Sequence, residues 1–348
     1  MKIKLKIISI FLFAILFVSC KKTEQTHKIR VGYFPNLAHA QALLGLARGD
    51  FQKKLGTDVQ IETKIFNAGP SAVEALFAEA IDLAYIGPSP AVNAYIKSGG
   101  QFQIIAGAAS GGSALVVRKD SKINNLKDFQ NKKIATPQLG NTQDVTARYW
   151  LKKNQLVLKE KGGTVELLPT QNADQISLFL KNELDAAWTT EPWISRLIFE
   201  TQAKVWMQES ELWQPLTQGQ YSTAVILVNN KFLKQHPEWI EKWLEAHVDV
   251  TEWIAANSEE AKKILNQELS KIIGKPIPDP VMNQAFKNLC WTYNPITASI
   301  QQQTQWAFEE GFLGKTLPEL SHLVDLTCLN EILKKKNYPP FNNLWKIK

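Results

Sequence analysis

Residues 66–97 read FNAGPSAVEALFAEAIDLAYIGPSPAVNAYIK, and this stretch decides the fold. It holds two strand-to-helix junctions of one design, Phe66-Asn67-Ala68-Gly69-Pro70-Ser71 and Tyr85-Ile86-Gly87-Pro88-Ser89, each opening a helix-like run. Proline suits the first helical position because its missing N–H would lack a partner there anyway, and the preceding glycine permits a sharp turn off the strand. A helix start carries unpaired N–H groups and positive dipole potential. Two such starts on one sheet edge, with Ser71 and Ser89 adding hydroxyls, would suit an anion. The plainer alternative is a pair of ordinary helix starts, which any α/β chain needs.

Outward from this stretch, strand and helix patterns alternate. Strands are expected over 29–34, 59–66, 82–86 and 102–108, with helices over 38–51, 71–80 and 90–97 between them. Such βαβ winding predicts a parallel sheet. Ser110-Gly111-Gly112-Ser113 then reads as a crossover into a second βα series, with strands over 114–118, 133–136, 165–168, 185–189 and 204–207 and helices opening at Thr142, Ala173 and Pro192. A strand over 221–228 would return the chain to the first lobe. Largely helical sequence follows it, interrupted by the rigid connector Lys275-Pro276-Ile277-Pro278-Asp279-Pro280. The expected organisation is 29–111 and 223–348 in one lobe and 112–222 in the other, joined by a two-segment hinge. Trp239, Trp243, His247 and Val250 share one helical face and read as core packing, with His247 a hydrogen-bonded packing histidine.

The first twenty residues have the layout of a signal peptide. Lys2, Lys4 and Lys6 precede an apolar run over 7–18 broken only by Ser9, too short to span a bilayer, and Ser19-Cys20 follows. A small residue before a cysteine resembles the lipobox of bacterial lipoproteins, with Phe17 where leucine is usual. Cys20 would then be the lipidated N-terminus and 21–28 a polar tether, with a plain secretory signal or an uncleaved short anchor as the alternative. The first thirty residues carry a net charge of +6 of the formal +7, so the globular part is nearly neutral and lacks the basic stripe of a nucleic-acid binder. Cys290 and Cys328 lie in apolar sequence surroundings and are expected free and buried rather than paired. The five histidines are scattered and no Cys/His pair has zinc spacing, so neither a metal site nor a cofactor is expected.

The chain resembles the substrate-binding proteins of nitrate/sulfonate/taurine-type ABC importers, most closely the aliphatic-sulfonate branch. The matching stretches are VGYFPNLAHAQALLGLARGDF from Val31, FNAGPSAVEALFAEAIDLAYIGPSPAVNAYIKSGG from Phe66, IIAGAASGGSALVVRKDS from Ile104, KKIATPQLGNTQDVTARYWLKKN from Lys132 and LDAAWTTEPWISRLIFE from Leu184. The resemblance implies a type II periplasmic-binding-protein fold, two α/β lobes closing on a small anion, and no enzymatic activity. It also implies an ABC permease and its ATPase subunit as partners, a monomeric state, export, and lipid anchoring to the bacterial cell envelope.

Carried onto this sequence, the resemblance nominates Pro35, Asn36 and His39 after the first strand. After the second and third strands it nominates Asn67, Gly69, Pro70, Ser71, Gly87, Pro88 and Ser89. Gly112 and Ser113 at the crossover, and Gln138, Gly140, Asn141, Thr142 and Gln143 in the second lobe, join them. Gly140-Asn141-Thr142 is also a helix-capping cluster, and capping alone would account for Asn141. Thr189, Thr190, Glu191, Pro192 and Trp193 form the last group. Pro192 and Glu191 suit a helix start, Glu191 would repel a sulfonate but attract an amine such as taurine's, and Trp193 could cover an alkyl chain. Arg148 could offer a bidentate fork to an oxyanion, but two turns into its helix it is expected at the surface.

Two other classes are open to this fold. Pyrimidine-synthesis enzymes of the thiamine pathway share it, but this sequence shows no nucleophile elbow, phosphate-binding loop or metal motif. A purely adhesive lipoprotein would not need a two-lobed cleft. The anion itself is left open, since sulfonate, sulfate ester, nitrate and phosphonate satisfy amide donors similarly.

Overall fold

A computed structural model describes residues 27–317 and 319–342. The signal-peptide segment, Cys20 and most of the tether lie outside the described residues. The chain opens with β1 (Lys28–Tyr33), α1 (Ala40–Ala47), α2 (Asp50–Leu55), β2 (Gln60–Ile65), α3 (Gly69–Phe77), β3 (Leu83–Ile86), α4 (Pro88–Lys97) and β4 (Phe102–Gly111). Both quoted junctions open helices, each with proline in the first turn. The single helix expected over 38–51 is instead a short 3-10 turn at Leu37–His39 followed by two helices, because Gly49 takes a left-handed conformation (φ 74°) and restarts the chain at Asp50.

The second series runs β5 (Ser113–Val117), β6 (Lys133–Thr136), α5 (Thr142–Lys153), β7 (Glu166–Pro169), α6 (Asn172–Leu180), β8 (Ala186–Thr190), α7 (Trp193–Thr201), β9 (Lys204–Gln208) and α8 (Glu209–Thr217). The rest comprises β10 (Ser222–Asn229), α9 (Asn230–Gln235), α10 (Pro237–Ala256), α11 (Ser258–Ile273), α12 (Asp279–Lys287), β11 (Leu289–Trp291), α13 (Thr297–Glu309) and α14 (Thr327–Lys335).

These strands form two sheets, ordered β11-β4-β10-β3-β1-β2 and β7-β6-β8-β5-β9. Strands joined by helical crossovers are parallel, as β1 is to β2 and β3, and β6 is to β7 and β8. The expected all-parallel arrangement fails where the chain changes lobe. β10 arrives from the other lobe and inserts antiparallel between β3 and β4, while β5 follows β4 directly and lies antiparallel to β8 and β9. Neither connection is a helical crossover within one sheet, so neither imposes parallel pairing.

Alternation along β5 shows how the second lobe is built. Leu115 and Val117 pack with Phe129, Trp150 and Trp188 on one face, and Ala114 and Val116 pack with Ile176, Phe179 and Ile194 on the other. A strand buried on both sides needs apolar residues at every position, which Ser113-Ala114-Leu115-Val116-Val117 provides after its first residue. In the first lobe, Trp239, Trp243, His247 and Val250 of α10 are buried, and Trp243 stacks on Phe51 at 3.8 Å. His247 lies between Tyr85 Oη (3.1 Å) and the Gly107 carbonyl (2.9 Å), as a packing histidine should. Cys290 and Cys328 are free, but neither is buried as expected: Cys328 is half-buried, and Cys290 is exposed on β11, a three-residue strand at the edge of its sheet.

The two crossing segments are bonded to each other. The Ser113 N–H donates to Tyr221 Oη (3.0 Å), the Tyr221 N–H to Ser110 Oγ (3.3 Å), and Thr223 Oγ1 to the Gly111 carbonyl (2.6 Å). Gly112 has φ +71°, and a Cβ there would stand 2.5 Å from Leu289 Cγ, so this crossing requires glycine on both counts.

Candidate functional site

Loops from both lobes meet around a small cavity of about 30 Å³ with both polar and apolar walls. The first lobe contributes Asn36 and His39 before α1, Asn67, Ala68 and Gly69 at the start of α3, and Gly87 and Pro90 at the start of α4. The second contributes Asn141, Thr142 and Gln143 at the start of α5, Asn172 at the start of α6, and Thr190 at the end of β8. Helix openings from both lobes therefore face one volume. Among the described residues, no Asp, Glu, Lys or Arg lines it.

Local sequence explains which helix starts are free. Asn141 Oδ1 accepts the Asp144 N–H (2.9 Å) and Asp144 Oδ2 accepts the Gly140 N–H (2.9 Å), so α5 is capped from within its own loop. Ala68 and Gly87, the residues preceding α3 and α4, offer no capping side chain, and the Ser89 N–H of α4 is taken instead by Thr142 Oγ1 from the second lobe (3.4 Å). At α3 the Gly69 and Ser71 amides of the first turn remain as donors at its cavity end, whereas α4, opening Pro88-Ser89-Pro90, contributes its dipole. Two glycines make the close approach possible: a Cβ on Gly69 would lie 2.2 Å from Pro90 Cγ, and one on Gly87 would lie 2.4 Å from Thr142 Oγ1.

His39 is buried, stacks on Phe34 at 4.4 Å and accepts the Phe34 N–H at Nδ1 (3.2 Å). Burial pushes its imidazole down to about 3, so the ring is neutral at physiological pH and Nε2 carries the proton. Asn172 Oδ1 accepts from Thr189 Oγ1 (2.9 Å) and Gln175 Nε2 (3.3 Å), which orients its amide. The side-chain oxygens of Asn36, Ser89 and Thr190 are buried without a hydrogen-bond partner among the described residues. Unpaired buried groups are costly and rare; Thr190 and Asn36 line the cavity, where the Thr190 hydroxyl can donate to an anion, and Ser89 lies just behind the wall.

The nominated residues divide into three groups. Asn36, His39, Asn67, Gly69, Gly87, Asn141, Thr142 and Gln143 line the cavity. Ser71 and Gln138 sit across the lobes from each other, with Ser71 Oγ and Gln138 Nε2 3.3 Å apart, and the Ser89 N–H donates to Thr142 Oγ1 (3.4 Å) just behind the wall. Pro88 lies in the first turn of α4, Gly112 and Ser113 belong to the crossing, Gly140 to the α5 cap, and Thr189 to the support of Asn172. Asn172 and Thr223 were not singled out from the sequence. Pro169-Thr170-Gln171-Asn172 is a further strand-to-helix opening, and that signal could have found Asn172.

Glu191 faces away from the cavity. Its carboxylate accepts from Ser195 Oγ (2.9 Å), the Ser195 N–H (3.1 Å) and Asn288 Nδ2 (2.7 Å), and burial holds its pKa above the usual carboxylate range. Trp193 lines a second chamber of about 190 Å³ with Pro35, Ala173, Ile272 and Ile273. Asn36, Asn67 and Asn172 border both chambers. Arg148 is neither an oxyanion fork nor a surface residue: it is buried, paired with Asp144 (2.8 Å) and Glu160, and held under the α5 cap by the i,i+4 spacing. Among the described residues, no cluster of His, Cys, Asp or Glu could hold a metal ion, and no helix is long and apolar enough to cross a membrane.

Comparison with known proteins places this geometry. The model of the NMT1-like family matches residues 22–269. A Bacillus subtilis (strain 168) protein provisionally named an aliphatic sulfonates-binding protein is 22% identical over 317 residues, 90% of either chain. The alkanesulfonate-binding protein SsuA from Xanthomonas axonopodis pv. citri, solved bound to MOPS, superposes with a TM-score of 0.69 at 17% identity, covering 83% of this chain and 95% of that one. The periplasmic nitrate-binding protein NrtA from Synechocystis PCC 6803 superposes with a TM-score of 0.70 at 14% identity over 90% of both chains. At these identities the structural likeness establishes the fold, the two-lobed α/β fold of periplasmic binding proteins.

Proposed function

The chain belongs to the NMT1-like family, and on that premise we propose that it is the solute-binding component of an ABC importer, capturing a small anion, an aliphatic sulfonate, between its lobes. The observation that carries the proposal is the convergence of helix starts from both lobes, that of α3 with free first-turn amides, on a cavity that no charged side chain lines among the described residues. Amide donors and helix dipoles hold a compact monoanionic head group without the desolvation cost of a buried counter-ion. Closure adds contacts from the second lobe that exist only with the ligand enclosed, and a permease would read the closed form.

The adjoining chamber supports the organic tail. Pro35, Trp193, Ile272 and Ile273 offer apolar surface beyond the asparagines that border the head-group cavity. Among the described residues no carboxylate lines it, because Glu191 is engaged elsewhere, so an uncharged alkyl tail suits it better than taurine's ammonium. Nitrate is the second reading, favoured by the small volume of the head-group cavity, which would enclose it without using the outer chamber. We propose no enzymatic step. A monomer exported and tethered through a lipid on Cys20 completes the reading, and Cys20→Ser should move the protein from the membrane fraction to the soluble exported fraction.

A thermal-shift screen of the form lacking residues 1–20 against alkanesulfonates, taurine, nitrate, bicarbonate and thiamine precursors tests the function. Alkanesulfonates should raise the melting temperature most. Stabilisation only by a thiamine precursor, or turnover of any of these compounds, would overturn it.

A further inference from the structure

Glu191 joins four parts of the molecule at the seam between the lobes. It directly follows β8 of the second lobe, and its N–H donates to the carbonyl of Gly112 in the crossing (2.9 Å). Its carboxylate takes two bonds from Ser195 at the start of α7 and one from Asn288 at the end of α12, in the first lobe. Its carbonyl accepts the N–H of Leu37 (3.3 Å), also in the first lobe. Leu37 is held from the other side as well, its carbonyl accepting from Trp291 Nε1 (2.8 Å). Leu37 lies between Asn36 and His39, both on the cavity wall.

We infer that Glu191 is a positioning residue for ligand capture: its hydrogen bond with Asn288 ties lobe closure to the placement of the Asn36–His39 loop. The inference rests on the proposed function only in requiring that the lobes close. With the lobes apart, Asn288 and Leu37 leave Glu191 together, and the loop bearing Asn36 and His39 loses its second-lobe support. With the lobes closed, the carboxylate has three donors and the loop is fixed from both sides. A carboxylate suits this place because it accepts from every side, and a hydrogen bond to a charged group outweighs a neutral one.

Reversing the donor and acceptor tests this in the full-length protein. Asn288→Asp sets two carboxylates against each other and should weaken pentanesulfonate binding about tenfold or more. Hydrogen exchange at the Leu37 amide should also speed up in the ligand-free protein. Adding Glu191→Gln to Asn288→Asp restores a donor facing an acceptor, and should bring both affinity and exchange back near wild type. Asn288→Leu, which leaves Glu191 and its Ser195 bonds intact, covers the case in which residue 191 tolerates no change: it should also speed exchange at Leu37. Unchanged Leu37 exchange in Asn288→Asp and Asn288→Leu overturns the inference, as does a double variant no better than Asn288→Asp alone. Wild-type protein that binds no anion would sink the proposed function instead, while the exchange measurement still decides the role of Glu191.

Discussion

Gly87→Ala places a methyl group in the seam where α4 meets α5. A Cβ there stands 2.4 Å from Thr142 Oγ1, whereas ordinary contact begins at 3.4 Å, so about 1 Å must be found. The backbone of Gly87 has φ −68°, which alanine adopts freely, so the substitution brings no backbone strain. Relief comes either from turning the Thr142 hydroxyl away or from parting the lobes. Both remove the bond from the Ser89 N–H to Thr142 Oγ1, already at 3.4 Å, and parting also breaks the Ser71 to Gln138 contact at 3.3 Å. At about 0.5–1.5 kcal/mol for each neutral hydrogen bond, closure loses about 0.5–1.5 kcal/mol if only the hydroxyl turns and about 1–3 kcal/mol if the lobes part, which spans about a 2- to 150-fold loss of affinity. Calorimetry with pentanesulfonate should show that loss while the ligand-free melting temperature stays close to wild type. Thr142 Cβ lies 3.4 Å from the same point, so Gly87→Ala with Thr142→Ala should recover lobe closure in solution scattering. Wild-type affinity for Gly87→Ala, or a stability loss as large as the affinity loss, would refute the close-approach argument.

Ser89→Ala removes a buried hydroxyl that has no partner among the described residues, so ligand-free stability should hold or rise while pentanesulfonate affinity falls by about 1 kcal/mol. A stability loss with unchanged affinity would return Ser89 to helix capping. Trp193→Ala should weaken pentanesulfonate more than nitrate in parallel titrations, because only the former has apolar surface to bury; equal losses would remove Trp193 from specificity. Glu209 accepts from Trp188 Nε1 (2.8 Å) and Trp213 Nε1 (3.3 Å), and burial pushes its pKa up to about 7 from 4.5. A raised carboxyl contributes stability below pH 4.5 that is lost as pH climbs to 7. The melting temperature of Glu209→Gln relative to wild type should therefore rise between pH 5 and 8, and a flat difference would refute the shift. His39 and His247, lowered by burial to about 3 and about 4, act oppositely: stability present above pH 6.5 should fall by up to about 1.4 kcal/mol per pH unit for each group as pH drops toward those values, which pH-resolved denaturation would read.

The sequence by itself determined what depends on local periodicity and junction chemistry. Proline after glycine located the openings of α3 and α4, alternating apolar runs located the strands, and the stripe through Trp239, Trp243 and His247 located one face of the core. Those signals lie within a few residues of each other along the chain, so no knowledge of long-range contacts was needed to read them. Tertiary structure decided everything that depends on which loops meet. The insertion of β10 antiparallel between β3 and β4 depends on partners more than a hundred residues away, and local propensity carries no information about strand direction. Glu191 could be read as a ligand partner until Asn288, 97 positions along the chain, took its carboxylate. Arg148 was assigned to the surface from its depth in the helix; Asp144 lies one turn away on the same face, but Glu160 and the Phe312 ring, which complete its surroundings, come from outside the helix. Gly87 looked like a turn residue, yet its backbone suits any residue; what demands glycine there is Thr142 arriving from the other lobe, a steric fact that exists only once the two lobes have closed.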